Sequence, residues 1–491
     1  MKKVLVTIVL LLVLVTVSLV SADTNDLPGS AWETGQQIQN VGTGDAAIAL
    51  VAYNQAGAEF SCDPTDPNPL PPGKSFTWLP TQCSTPAGFE GSAVANSDQP
   101  IVAVVNVNNR TAGSAAGQYT GTDGSDVATT LAFPLVKNDH ASRTTTFYVQ
   151  NASSGTNTIN ATFKELNGDE HTITFNDVPA NAMVVINPSD ASPAFPTGTG
   201  VGIGSLVVEG TAALAGASLE HETTAAVGAN LQASRAFVPS DYDSEVICPL
   251  TRYQFPSTSS INATTGIQAQ NVTAGDTFDI SVTYEVIFPA PRTVGPVTVA
   301  GVGPGESANF LQSDHLASGE IASATVTGGG EMAVIVNDRA DAFTPKRFTT
   351  YACFGASNAT DTIAIPLAKD QFVNNTTGIQ VANVGTAATQ ITLNFVNFNG
   401  DDIDVQTTVD VEPGASKTFY RMATGGTSDI TAINGTNLAD LLAGPFGASG
   451  GGIAGVTITA DQPIVAIANE SNYNGVNPQD TKNYEGFNLN P

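Results

Sequence analysis

One short stretch of this 491-residue chain gathers titratable groups of the kinds that ligate or catalyse, Glu220-His221-Glu222. A carboxylate–imidazole–carboxylate run binds a metal weakly, whereas a hydrolytic zinc site needs a second His at helical spacing, and none follows. The run reads as a solvated strand end. The four histidines, His140, His171, His221 and His315, are scattered and share no spacing. No Gly-x-Ser-x-Gly elbow stands on a strand-to-helix pattern. The Gly328-Gly329-Gly330 and Gly450-Gly451-Gly452 runs lack the Lys-Ser/Thr of a phosphate loop and read as bends. Asp401 and Asp402 belong to a hairpin turn rather than to the cleft that a glycosidase pair requires. The pattern predicts a protein that is not an enzyme.

Calcium is the one cofactor the carboxylates suggest. Asp241, Asp243 and Glu245 alternate along a short segment, and hard cations take several oxygens. Asp123 with Asp126, and Asp63 with Asp66, are weaker loop pairs. Trp32 and Trp78 would stack on sugar rings if exposed, and would serve core packing if not. Asn109, Asn151, Asn160, Asn262, Asn271, Asn358, Asn374, Asn375, Asn434 and Asn469 each head an Asn-x-Ser/Thr triplet, the acceptor pattern for glycosylation. Four cysteines, Cys62, Cys83, Cys248 and Cys353, are spaced too widely for a zinc site and imply two disulfides. Pairing Cys62 with Cys83 and Cys248 with Cys353 is one of three connectivities. In that pairing the longer loop is worth roughly 4–5 kcal/mol in the chain-entropy picture.

What positions these residues is a repeat. Asn40, Asn151, Asn271 and Asn383 each close an apolar strand, at spacings of 111, 120 and 112 residues. After each comes a turn, then period-two segments such as Ile391, Leu393 and Phe395, with Asn167-Gly168 and Asn399-Gly400 marking hairpins. A Pro follows at Pro72, Pro179, Pro304 and Pro413, backed by Gly73, Gly305 and Gly414 in three copies. Each repeat from the second onward opens on a Pro-Leu strand, Pro134-Leu135, Pro249-Leu250 and Pro366-Leu367, placed at an edge because Pro lacks a donor. The first repeat lacks one, Leu27-Pro28 being at most a remnant. The expectation is an all-β chain of four tandem immunoglobulin-like β-sandwich domains: 23–130, 131–243, 244–360 and 361–491. Linkers are short, so neighbouring domains abut. Leu438-Ala439-Asp440-Leu441-Leu442 is the one helical signal.

Residues 1–22 read as a signal peptide, with Lys2 and Lys3, an apolar run from Val4, and small residues before Asp23. The chain carries 17 basic and 45 acidic residues, a net charge of −28, which repels nucleic acid and anionic lipid. Charged residues make up only 13%, as in secreted β proteins. The location expected is extracellular or at the cell surface, with no membrane insertion of the mature chain.

The repeat resembles one in uncharacterised secreted proteins of filamentous bacteria such as the Chloroflexota. There a Gly-Ile-Gln-Val-x-Asn strand is followed by a Pro-Gly-Ala turn and an Ala-Asp-Gln-Pro-Ile-Val-Ala-x-x-Asn-Glu strand. The fourth copy carries all three, at Gly378 to Asn383, Pro413 to Ala415 and Ala460 to Glu470, and the first copy matches in part. The resemblance implies a cell-envelope or extracellular location and no known activity. Together these readings predict a structural protein: a semi-rigid rod of sandwiches, joined head to tail with copies of itself into a layer, sheath or filament. The alternative is an adhesin, an array of modules that binds glycans or other envelope proteins. A chain that lacks its first strand exposes an edge, and edges invite strand addition.

Overall fold

The computed structural model describes residues 27, 32–64, 68–109, 115–222, 231–255, 262–340, 347–370, 372, 375–397, 402–407, 410–420, 430–432, 452–472 and 481–489. The expected leader, the 438–442 segment, Asp66, Asn374, Asp401 and Asn434 lie outside them. Among the described residues the chain is all-β, with helix confined to three-residue 3-10 turns.

The second unit shows the plan. Its seven strands run Ala128–Lys137, Arg143–Asn151, Asn157–Glu165, Glu170–Val178, Met183–Ile186, Ile203–Glu222 and Leu231–Arg235. The sixth is the spine, 20 residues long here and 21 in the third unit (Glu320–Ala340) and the fourth (Gly452–Asn472). Its first half lies between the third and first strands, with Leu206 opposite both Phe163 and Phe133. Its second half lies between the second and seventh, with Ala217 opposite Tyr148 and Arg235. One layer therefore reads fourth-third-sixth-first and the other fifth-second-sixth-seventh. A register break from Glu209 to Leu214 marks where the shared strand turns from one layer to the other. In the third unit Gly328-Gly329-Gly330 occupy this bend, where a Cβ on Gly328 would meet the Phe278 ring at 2.7 Å.

The architecture is thus four antiparallel two-layer sandwiches in series, immunoglobulin-like in layering, with a strand order of their own. Alternation fills each core: Ile159, Ala161 and Phe163 point inward with Leu206 and Val208, all fully buried. Equivalent clusters fill the third and fourth units.

The repeated asparagine acts as a two-sided staple. Asn383 Nδ2 donates to Ala387 O (2.8 Å) in the turn after it and to Val411 O (2.8 Å) in the loop before the fifth strand; Gly385 N donates to its Oδ1 (2.9 Å). Asn40, Asn151 and Asn271 make the same contacts at their own positions. The backbone carbonyl of each also accepts the N–H of the turn residue after the Pro marker: Gly73, Asn181, Gly305 and Gly414. All four have φ between +59° and +77°, which explains Gly in the first, third and fourth units and Asn in the second.

The units do not form a rod. Their seventh strands, Ala115–Thr120, Leu231–Arg235, Arg347–Ala352 and Thr481–Glu485, pack side by side around one axis, first on second, second on third, third on fourth and fourth on first. Thr120 Oγ1 donates to Glu485 (3.1 Å), and Gln118 Nε2 reaches Glu470 (3.4 Å), closing the last unit onto the first. Gln232 Nε2 donates to Thr349 O (2.8 Å) between the second and third. The short linkers expected from sequence turn the chain through a closed, pseudo-four-fold ring.

The Pro-marked turn of each unit docks on the unit before it. Ser205 Oγ donates to Gly305 O (2.5 Å), Lys164 Nζ to Pro304 O (2.7 Å) and Ser323 Oγ to Gly414 O (2.5 Å). Gly73 O lies 3.1 Å from where a Cβ on Gly455 would stand, which is the fourth-to-first contact. Between first and second, Met183 N donates to Gln55 O (3.2 Å).

The first unit departs from the plan. Its sixth strand is split into Gly91–Ser97 and Ile101–Asn109, and no first strand pairs with either piece among the described residues. Its layers are consequently separate sheets of three and four strands.

Candidate functional site

The charged groups that the fold concentrates lie where each first strand ends. Lys137, Arg252 and Lys369 each stand three residues beyond the Pro of their first strand. Each meets a carboxylate at one equivalent position of the sixth strand. Lys137 Nζ lies 2.8 Å from Glu220, Lys369 Nζ lies 2.8 Å from Glu470, and Arg252 pairs with Asp338. Two further cations join: Arg143 pairs with Glu220, and Lys482 Nζ lies 2.7 Å from Glu470. Burial alone would raise the Glu220 and Glu470 carboxyls. The paired cations more than offset it and hold both down to about 2. Such pairs stay charged, and removing one member would strand the other in a dry interior.

Two tyrosines of the seventh strands grip the same first strands. Tyr351 Oη donates to Leu250 O (2.5 Å) and accepts from Leu250 N (3.2 Å). Tyr484 Oη does the same with Leu367 O (2.5 Å) and Leu367 N (3.2 Å). In the first unit neither device is present. Val107 stands where the carboxylates stand, and the Tyr119 hydroxyl has no hydrogen-bond partner among the described residues.

At the ring axis Thr120, Arg235, Ala352 and Glu485 are counterparts. Glu485 accepts from Thr120 and from Ala352 N, and burial raises its carboxyl despite the nearby Arg235. Gly117, Gln118, Gln232, Thr349, Lys482 and Asn483 meet there without room for a water molecule between them.

The residues singled out from sequence are dispersed. Asp241 is held by Arg235 in a two-pronged pair (2.5 and 2.6 Å) and caps Val238 N (2.8 Å). Asp243 accepts from Ser357 N (2.9 Å) and Glu245 N (3.2 Å). The Asp241 and Asp243 carboxylates are thus engaged with the protein, and no group of three metal-ligating side chains occurs among the described residues. Asp123 accepts from Ser125 N (2.7 Å), and burial together with Asp123 and Asp241 raises Asp126. Glu220-His221-Glu222 is not a solvated strand end: Glu220 and His221 are buried because the sixth strand finishes beside the ring axis. His171 lies 2.9 Å from Glu165, His315 stacks on Tyr284, and His140 is far from both in sequence.

Trp78 is fully buried and donates to Asp63 O (2.6 Å), while Trp32 is half-buried in the cluster between the first and second units. They are not a pair of exposed stacking platforms. Among the acceptor triplets, the Asn109, Asn151, Asn271 and Asn375 side chains are buried, Asn151 and Asn271 serving as staples. Asn262, Asn358 and Asn469 are half-buried, and Asn160 is exposed. The structure pairs Cys62 with Cys83 and Cys248 with Cys353.

The cation that follows each Pro-Leu strand was visible in sequence, since three copies carry it at one offset. Its partner was not, because Glu220, Asp338 and Glu470 share a position only once the sixth strands are aligned on their pairing with the marker Asn.

No helix among the described residues is long and apolar enough to cross a membrane, which leaves β-barrels unaddressed. No family model matches the chain, and no curated protein matches it. One solved structure, a tetra-tandem repeat in the extending region of a large adhesion protein, is similar over 92% of this chain and 93% of its own at 11% identity; its TM-score of 0.10 means that the two do not superpose as wholes.

Proposed function

We propose that the chain is a non-enzymatic, extracellular structural protein in which four sandwiches close into one rigid block, and that blocks join to one another in a surface layer, sheath or filament. The observation that carries this reading is the closed ring of interunit bonds, from Ser205–Gly305 and Ser323–Gly414 to Thr120–Glu485. A catalyst keeps a concave site with convergent reactive groups. Here Glu220, Asp338 and Glu470 are each paired with buried or half-buried cations, and no room for a water molecule is left between the residues that meet at the axis. Two disulfides suit an oxidising exterior.

Small-angle scattering and electron microscopy of the protein beginning at Asp23 test the shape. A compact chain of this length has a radius of gyration of roughly 23 Å, and a string of four domains about twice that. A value near the larger figure removes the block. A protein that stays monomeric at millimolar concentration, imaged as single particles, removes the assembly.

A further inference from the structure

The chain itself ties three of the four seams of the ring. Residues 121–127 lead from the first unit to the second, 236–242 from the second to the third, and 353–359 from the third to the fourth. The first and fourth units are joined only through the other two, so their own seam is held by noncovalent contact. Across it Val104 packs into the fourth unit's core, Gln118 Nε2 reaches Glu470 (3.4 Å), and Thr120 Oγ1 donates to Glu485 (3.1 Å). Glu485 does more than bridge that seam. One oxygen accepts from Thr120 of the first unit, the other from Ala352 N of the third, and the side chain is only 6% exposed.

Both of those donors are uncharged. The cation that acts on Glu485 is Arg235 of the second unit, and its guanidinium is already engaged: Nη1 and Nη2 donate to Asp241 (2.6 and 2.5 Å), and Nη1 also to Ala236 O (3.1 Å). Glu220 and Glu470, also buried, each meet two cations instead. The other ionisable groups nearby do not make up the difference. Asp241 and Asp126, from the turns after the second and first units' seventh strands, lie beside Arg235 and compete for it. Tyr351 of the third unit is bonded to Leu250, and Lys482 of the same strand as Glu485 is paired with Glu470. A dry carboxyl without a cation of its own is favoured as the neutral acid. Burial accordingly raises Glu485. Protonation also keeps its bonds, because the Thr120 hydroxyl accepts from a carboxyl as readily as it donates to a carboxylate, and the Ala352 N–H serves either form.

We propose that Glu485 is a proton-operated lock on the ring: the seam between the first and fourth units closes with Glu485 neutral and opens as Glu485 ionises. The proposal rests on the closed block described above and assigns its regulation. In the opened arc Glu485 faces water and titrates as an ordinary carboxyl, near 4.5. Closing the seam therefore takes up a proton. That support is present in full below 4.5 and is lost as pH rises through the higher value of the closed ring. Between the two values, closure weakens by about tenfold for each pH unit, the signature of one proton.

Hydrogen exchange of the whole chain between pH 5 and pH 9, corrected for the direct effect of pH on exchange, tests the lock. Peptides covering Ala115–Thr120 and Thr481–Glu485 report the seam, and the core strand Asn157–Glu165 reports unfolding of a unit. In the unaltered chain the seam's opening constant rises by about tenfold or more across the range, and Asn157–Glu165 does not follow. A seam that opens equally at every pH, or only together with Asn157–Glu165, overturns the proposal. Glu485→Gln keeps an acceptor for Ala352 N and a donor for Thr120 without a charge, so its seam stays closed throughout; a rise like that of the unaltered chain overturns the proposal. Asp241→Asn frees Arg235 for Glu485, and the rise shrinks. It carries the test if Glu485→Gln does not fold, and an unshrunken rise counts against the lock. Scattering at the same pH values separates this idea from the one beneath it. A radius of gyration of roughly 23 Å with no pH-dependent opening leaves the block standing without its lock, whereas about twice that radius at every pH removes both.

Discussion

The first and fourth units are the most alike in sequence and the least alike in construction. Both carry Asp-Gln-Pro-Ile-Val-Ala at the bend of the sixth strand, at Asp98 to Ala103 and Asp461 to Ala466. In the fourth unit that segment runs through a continuous 21-residue strand; in the first it interrupts two shorter ones. The difference is the first strand. Where Thr360–Asp370 lies along the sixth strand, it welds both halves into one sheet, brings Lys369 to Glu470, and fixes Tyr484. Where no such strand pairs among the described residues, Val107 stands in place of the carboxylate, Ala93 is exposed and Ala95 half-buried, and the Tyr119 hydroxyl meets no partner among those residues. One strand thus organises a set of residues far apart in sequence, and its absence shows which ones they are.

The largest expected effect comes from breaking the ion cluster that only the strand-bearing units possess. Glu470→Ala leaves Lys369 and Lys482 buried without their shared partner, and unfolding in urea should show a loss of about 3–5 kcal/mol. The counterpart change Val107→Ala removes apolar contact alone, about 1.5–2 kcal/mol. Equal losses at the two positions would mean that the cluster is not what holds the strand.

Acid probes the same contrast without mutation. Glu220 and Glu470 titrate near 2 in the folded protein against 4.5 in the unfolded chain, so the folded state holds fewer protons and is favoured above 4.5. That stability, on the order of 3 kcal/mol for each, is lost as pH falls from about 4.5 to about 2. Glu485 runs the other way: its raised carboxyl favours folding at low pH, and the contribution fades as pH rises through its folded value. Unfolding free energies measured between pH 2 and pH 6 should therefore climb steeply at the acid end, and Glu470→Gln should flatten the climb. A flat profile in the unaltered protein would place these carboxylates in ordinary surroundings.

A smaller split is expected at the paired tyrosines. Tyr484→Phe strands the N–H and C=O of Leu367 in the core and should cost about 1–3 kcal/mol. Tyr119→Phe should leave melting within error, since its hydroxyl has no hydrogen-bond partner among the described residues. A matching loss at Tyr119 would show that its hydroxyl is bonded as firmly as that of Tyr484.

The fold was legible because its markers are local. Asn40, Asn151, Asn271 and Asn383 each hold a turn two to five residues away, and period-two alternation follows from strand geometry, so neither depends on distant contacts. The ring was not legible. It depends on what the seventh strands present to one another, and Gly117, Gln232, Thr349 and Lys482 share no residue type that a repeat comparison would flag. The rod expected from short linkers failed for the same reason: linker length limits the distance between units, not the angle. The alternation of Asp241, Asp243 and Glu245 along the chain says nothing of Arg235, which arrives from the preceding strand and holds Asp241.

The smallest effect expected is one that the two units should share. Gly73 and Gly414 both carry a positive φ, +74° and +75°, in the turn whose N–H bonds the marker Asn carbonyl. Ala at either position must adopt the left-handed conformation, costing about 1–2 kcal/mol. Neither site crowds the added methyl, with no neighbour nearer than 3.6 Å, so the two costs should match to within about 0.5 kcal/mol. The turn belongs to the half of the plan that the first strand never touches. If Gly73→Ala proved much costlier than Gly414→Ala, the docking of the first unit's turn on the fourth would carry strain of its own, and ring closure would be the weakest of the four junctions rather than an equal one.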